Sequence, residues 1–140
     1  MYNNQLTGSI PVEVGQLAAL QQLALYNHHL TGSIPMEVGQ LTALKLLYLY
    51  SNQLTGTLPS TMGQMASMEE LDLKNNYLGG SLLVEMSRMG KLRILFLQNN
   101  LLTGPLDDRF NHSAQLQLTT IDMSNNRLSG SLPLEMFLLP

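Results

Sequence analysis

The feature that most limits what this chain can become is that it repeats itself. LTGSIPVEVGQL (Leu6 to Leu17) and LTGSIPMEVGQL (Leu30 to Leu41) lie 24 residues apart. A third copy, LTGTLPSTMGQM, begins at Leu54, and looser copies begin at Leu78, Leu102 and Leu128. Asn4, His28, Asn52, Asn76, Asn100 and Asn126 head these segments, spaced by 24 residues four times and then by 26. A unit this short cannot bury its own apolar edge. It hides that edge only against the next unit, which makes the chain a stack of coils.

Counting each unit from Leu20, Leu44, Met68, Leu92 and Leu118, apolar residues return at slots 1, 4, 6, 11, 15, 19 and 22, allowing for the two-residue slip at Leu116 in the unit from Leu92. Slots 4 and 6 alternate with their neighbours, the period of a strand with one buried face. Each such strand pairs only with its counterpart one unit away, in parallel, at a spacing of about 4.8 Å. Gly8, Gly32, Gly56, Gly80, Gly104 and Gly130 share one slot, as a turn needing positive φ or close backbone approach requires. Pro11, Pro35, Pro59 and Pro133 also recur in step and limit the rest of the unit to about a helical turn. The slot-9 asparagines turn inward, where an amide satisfies backbone groups of adjacent coils. His28 interrupts that column, as a substitute bonding the same backbone or, alternatively, as a pH-sensing group together with His29.

Composition narrows the function. Charged residues make up 12% of the chain and the net charge is −3. With no cluster of Lys and Arg, neither a nucleic acid nor an anionic membrane is an expected partner. There is no cysteine, hence no disulfide, thiolate nucleophile or Cys-ligated metal. No signal peptide is visible, and no apolar run approaches the length of a membrane span. Nucleophile elbows, phosphate-binding glycine loops and HExxH motifs are absent. The carboxylate pairs Glu69–Glu70 and Asp107–Asp108 have no cleft to shift their pKa values, so no enzyme and no cofactor are expected. Asp107, Asp108 and His112 are spaced for no specific metal site. Asn111-His112-Ser113 is a glycosylation acceptor pattern, which makes Asn111 a candidate modification site.

The unit LxxLxLxxNxLTGxIPxxVGxL resembles the plant-specific class of leucine-rich repeat, seen best in LALYNHHLTGSIPMEVGQL (Leu23 to Leu41) and LYLYSNQLTGTLPSTMGQM (Leu47 to Met65). The resemblance implies an α/β leucine-rich repeat solenoid, a horseshoe or superhelix. One parallel sheet lines its concave face, short turns or 3-10 segments lie on the convex side, and a second short strand runs around Thr-Gly-x-Ile/Leu. Residues 1–140 then form one domain of about five and a half repeats. The family's cysteine caps are missing, so the chain reads as a fragment lacking both caps, with end-to-end self-association through the open ends as one consequence. Three departures stand out: the caps, Leu83 and Asp107 in place of the proline, and methionine at several core slots. The last implies a looser core, because methionine specifies packing weakly. Functionally the resemblance implies non-catalytic recognition of a protein or peptide ligand, as in receptor-like kinase ectodomains, outside the cell or attached to a membrane. The alternative is an intracellular scaffold or adaptor. Surface binding to polysaccharide or ice wants a regular flat array, and the exposed slots vary from unit to unit.

Those exposed slots place the ligand. Five of the eight aromatic residues fall in slots 5 and 7, where the core has no use for them. Slot 7 carries Tyr2, Tyr26, Tyr50 and Lys74; slot 5 carries Tyr48, Asp72, Phe96 and Asp122. Tyrosines give contact area at low entropy cost and keep a polar tip. Tyr26, Tyr48, Tyr50, Asp72, Lys74, Phe96 and Asp122 are therefore the candidate ligand face, suited to a partner with apolar anchors and basic groups. Cross-strand stabilisation of the sheet is the competing reading of the tyrosines, and a solvated face that of the two aspartates.

Overall fold

The computed structural model describes residues 4–82, 84–106 and 117–131. Five short strands, β2 (Gln22–Ala24), β4 (Leu46–Tyr48), β5 (Glu70–Asp72), β7 (Ile94–Phe96) and β9 (Thr120–Asp122), form one parallel sheet in chain order. Leu23, Leu47, Leu71, Leu95 and Ile121 stand opposite one another along it. Register is thus in step with the repeat. The two extra residues before Leu118 change the spacing at β7–β9 without moving any slot out of line.

A second line of parallel pairing follows on the flank. It comprises β1 (Thr7–Gly8) with β3 (His29–Leu30), single bridges at Ser33–Thr55 and Thr57–Gly79, and β6 (Gly79–Ser81), β8 (Leu101–Pro105) and β10 (Arg127–Ser129). Here the register slips by two residues against the repeat, so Gly8 faces Leu30 and Gly80 faces Leu102. The recurrent glycine sits in this segment with φ between 74° and 85° at every copy. At Gly32 and Gly56 an added β-carbon would also lie 3.3 Å and 3.2 Å from a serine β-carbon of the preceding coil, so a side chain would meet both strain and a neighbour.

Among the described residues the chain then crosses the convex side in four 3-10 turns, Val12–Gln16, Met36–Gln40, Ser60–Gln64 and Val84–Arg88. In the first three turns a proline starts the turn, in extended conformation. Successive turns pack closely. A β-carbon at Gly39 would collide with the backbone and β-carbon of Thr61, and one at Gly63 would lie 2.7 Å from the Glu85 carbonyl oxygen. Val-Gly-Gln-Leu recurs because the coils touch there.

The core is a continuous ribbon between these layers. Leu44, Leu47, Leu49, Leu54, Met62 and Met65 from one unit, and Met68, Leu71, Leu73, Leu78, Met86 and Met89 from the next, are fully enclosed. Each such side chain contributes about 1.5–3 kcal/mol of transfer free energy. The methionines of these units are buried as completely as the leucines they replace. In the first described coil Leu6 and Leu17 are exposed and Leu23 and Leu25 half-buried, because only one neighbouring coil covers them.

The asparagine column behaves as its chemistry demands. Oδ1 of Asn76 accepts the Leu54 N–H at 3.0 Å, while Nδ2 donates to the carbonyls of Leu49 and Leu73, both at 3.1 Å. Asn52 and Asn100 repeat the arrangement. His28 is buried as well, but only its Nδ1 meets backbone, 2.9 Å from the Asn4 carbonyl oxygen, and its Nε2 has no partner.

Candidate functional site

Immediately after each concave strand the chain turns a corner in the left-handed region, at Asn27, Ser51, Asn75, Asn99 and Asn125, with φ between 54° and 58°. Asparagine tolerates that conformation better than other residues with a side chain. Slot 8 is therefore asparagine-rich for backbone reasons, which periodicity of polarity alone does not convey; the Asn-Asn pairs at 75–76, 99–100 and 125–126 are the available signal. The outer asparagines also form a ladder of their own, with Asn99 Nδ2 donating to Asn75 Oδ1 at 2.7 Å and Asn125 Nδ2 to Asn99 Oδ1 at 2.8 Å. The corner fixes where slots 5 and 7 project.

Six of the seven candidate ligand residues, Tyr26, Tyr48, Tyr50, Asp72, Lys74 and Phe96, line one hollow of about 290 Å³ on the concave sheet. Asp122, the seventh, stands opposite Phe96 in register, just beyond it. Tyr2 and the glycosylation candidate Asn111 lie outside the described residues, as do Asp107, Asp108 and His112. Among the described residues no group of three or more His, Cys, Asp or Glu side chains could hold a metal, and no helix is long and apolar enough to cross a membrane.

The aromatic rings are organised. Tyr26 and Tyr50 stack with centroids 4.4 Å apart and planes 11° from parallel, and Tyr48 meets Tyr26 edge-on at 6.4 Å. Lys74 continues the column: its Nζ lies 4.6 Å from the Tyr50 ring centre and 5.1 Å from that of Phe96. The same ammonium is 2.9 Å from Oδ2 of Asp72.

One expectation needs correction here. Asp72 is not part of a solvated acidic face: it is 6% exposed and its charge is spent on Lys74. Glu70 is engaged too, accepting the Tyr48 hydroxyl at 2.6 Å. Burial, and then that bond, push the Tyr48 pKa well above the ordinary tyrosine value. Burial, and then Tyr26, raise that of Tyr50. Asp122 does keep a solvent-accessible carboxyl, held below the usual range by the Ser124 N–H. The hollow is thus an aromatic enclosure with internally paired charges, which sequence spacing could bring together but could not pair.

Residues 2–130 match the family model described as a leucine-rich repeat region. No curated protein sequence matches the chain. Several solved structures superpose closely. The plant peptide hormone receptor RGFR1, in complex with RGF2, has 36% identity over 97% of this chain with a TM-score of 0.91. The ectodomain of the Arabidopsis thaliana membrane receptor kinase GASSHO1/SCHENGEN3, in complex with Casparian Strip Integrity Factor 2, has 37% identity over 96% with a TM-score of 0.90. A plant ice-binding protein has 30% identity over 94% with a TM-score of 0.85. The chain spans only 22%, 16% and 42% of these three chains respectively.

Proposed function

The chain belongs to the leucine-rich repeat family, and on that premise we propose that it is a non-catalytic recognition module whose concave face binds a peptide or protein. One observation carries this reading. Four aromatic side chains, Tyr26, Tyr48, Tyr50 and Phe96, gather around a hollow on the solvent side of the sheet, where the core gains nothing from them. Tyrosine is among the residue types enriched in the few side chains that carry most of the binding energy at protein interfaces. Two of the similar structures described above are receptors in complex with a peptide hormone or an integrity factor, which supports the same use of this scaffold. Selection of a random peptide library on the wild-type protein tests it. Enriched peptides should bind, and should lose at least tenfold in affinity for the Tyr26→Ala/Tyr48→Ala/Tyr50→Ala variant but not for Met36→Glu on the convex side. Peptides that bind the triple variant equally well would overturn the reading.

A second reading has an observation of its own. Exposed hydroxyl side chains, Thr7, Ser9, Thr31, Ser33, Thr55, Thr57, Ser81 and Thr103, recur along the flanking sheet, where Ser33 stands opposite Thr55 and Ser81 opposite Thr103. That flank is more regular than the concave face, and one similar structure is an ice-binding protein. Ice recrystallisation assays of wild type and Thr55→Asp decide it: growth inhibition that the substitution removes favours the flank, and none eliminates it.

A further inference from the structure

The centre of the concave hollow is already built as a receptor for a cation, and the protein fills it itself. Asp72 is a buried carboxylate on β5, and a buried carboxylate needs a positive partner. Tyr50 and Phe96 present ring surfaces to the same point, 4.6 Å and 5.1 Å from the Lys74 ammonium. An anion under two aromatic rings is the arrangement that holds ammonium and guanidinium groups. Lys74 is the partner with the looser hold. It lies two residues from Asp72, past the end of the strand, and its side chain is 28% exposed against 8% for Asp72. Released, the lysine reaches water on a flexible stem, whereas Asp72 has nowhere to go.

We propose that this hollow takes an arginine side chain of the ligand, which displaces Lys74 and takes over Asp72 and the ring faces of Tyr50 and Phe96. The inference rests on the concave face being the recognition surface. Arginine is favoured over lysine for two reasons. A planar guanidinium stacks on aromatic rings, and it offers five donors in a fixed fork where an ammonium is a point charge. Glu70 stands on the same strand face as Asp72 and has one oxygen occupied by the Tyr48 hydroxyl. Its other oxygen gives the extra donors of a guanidinium a second acceptor. Lys74 thereby sets a threshold. Ligands with a neutral side chain leave Lys74 on Asp72, and those with a fork-shaped cation displace it.

The displacement is measurable in the wild-type protein. Under limiting acetylation, Lys74 should react slowly in the free protein because its ammonium is paired and sandwiched. Adding blocked arginine (N-acetyl-arginine amide) at millimolar concentration should speed acetylation of Lys74 several-fold, read by mass spectrometry. Lys45 and Lys91 serve as internal controls and should not change. Blocked citrulline, similar in shape but uncharged, should have no effect. Lys74→Met should bind blocked arginine at least tenfold more tightly than wild type by NMR titration. If that variant fails to fold, the wild-type labelling experiment decides alone. Unchanged or slowed labelling of Lys74 with arginine, or equal acceleration by citrulline, overturns the proposal. Library peptides that need the tyrosines while arginine leaves Lys74 untouched would defeat this inference and spare the recognition reading.

Discussion

Asn76→Ala is the sharpest test of what holds the coils together. Asn76 is 5% exposed and bonds the backbone of two coils, its own at Leu73 and the preceding one at Leu49 and Leu54. Truncation has unequal consequences for its partners. The carbonyl of Leu49 keeps a bond from Asn52 at 3.0 Å, and that of Leu73 keeps one from Asn100 at 3.0 Å. The N–H of Leu54, a residue with no exposed surface, loses its acceptor. An orphaned buried N–H costs about 1–3 kcal/mol, and the two weakened carbonyls add about 0.5 kcal/mol each. The expected loss is therefore about 3 kcal/mol, a large share of the roughly 5–15 kcal/mol that stabilises an ordinary domain. Urea unfolding followed by far-UV circular dichroism measures it, with Asn75→Gly as the control. Asn75 is exposed and has a φ of 56°, so glycine there relieves backbone strain while removing only surface bonds and should stay within about 0.5 kcal/mol of wild type. A loss below about 1 kcal/mol for Asn76→Ala, or equal effects at the two positions, would refute the argument that the inner asparagines satisfy otherwise stranded backbone.

Three further expectations follow from the same packing. His28→Asn should stabilise the protein by about 1 kcal/mol, because an amide restores the bonding pattern of Asn52 where His28 leaves Nε2 without a partner; a destabilised variant in the same urea assay would contradict this. Gly39→Ala should cost about 1–3 kcal/mol through collision with Thr61 in the next turn, lowering the thermal midpoint in calorimetry, and an unchanged midpoint would show that the coils yield there. The raised pKa of Tyr48 has a definite sign: the folded state holds the proton more tightly, so its stabilising effect is complete below the unfolded value of about 10 and is lost as pH rises beyond it. Stability should fall in alkaline urea titrations, and Tyr48→Phe should flatten that fall; an identical slope in the variant would remove Tyr48 as its source.

The 24-residue return of leucine-like residues determined the stack, the parallel sheet and its register, because no coil has another place to hide its apolar edge. It determined which side chains face the concave side, since strand alternation leaves slots 5 and 7 no choice, and it marked the inward asparagines. Tertiary structure alone decided what those exposed side chains do to one another. Spacing put Asp72, Lys74, Tyr50 and Phe96 on one face, but only packing spends the charge of Asp72 on Lys74 and seats the ammonium between two rings. The left-handed corners of slot 8 and the two-residue slip of the flanking sheet were likewise hidden, because both arise from how a coil closes on its neighbour. Periodicity records which residues are buried; pairing and charge depend on distances between coils, and those exist only once the coils are stacked.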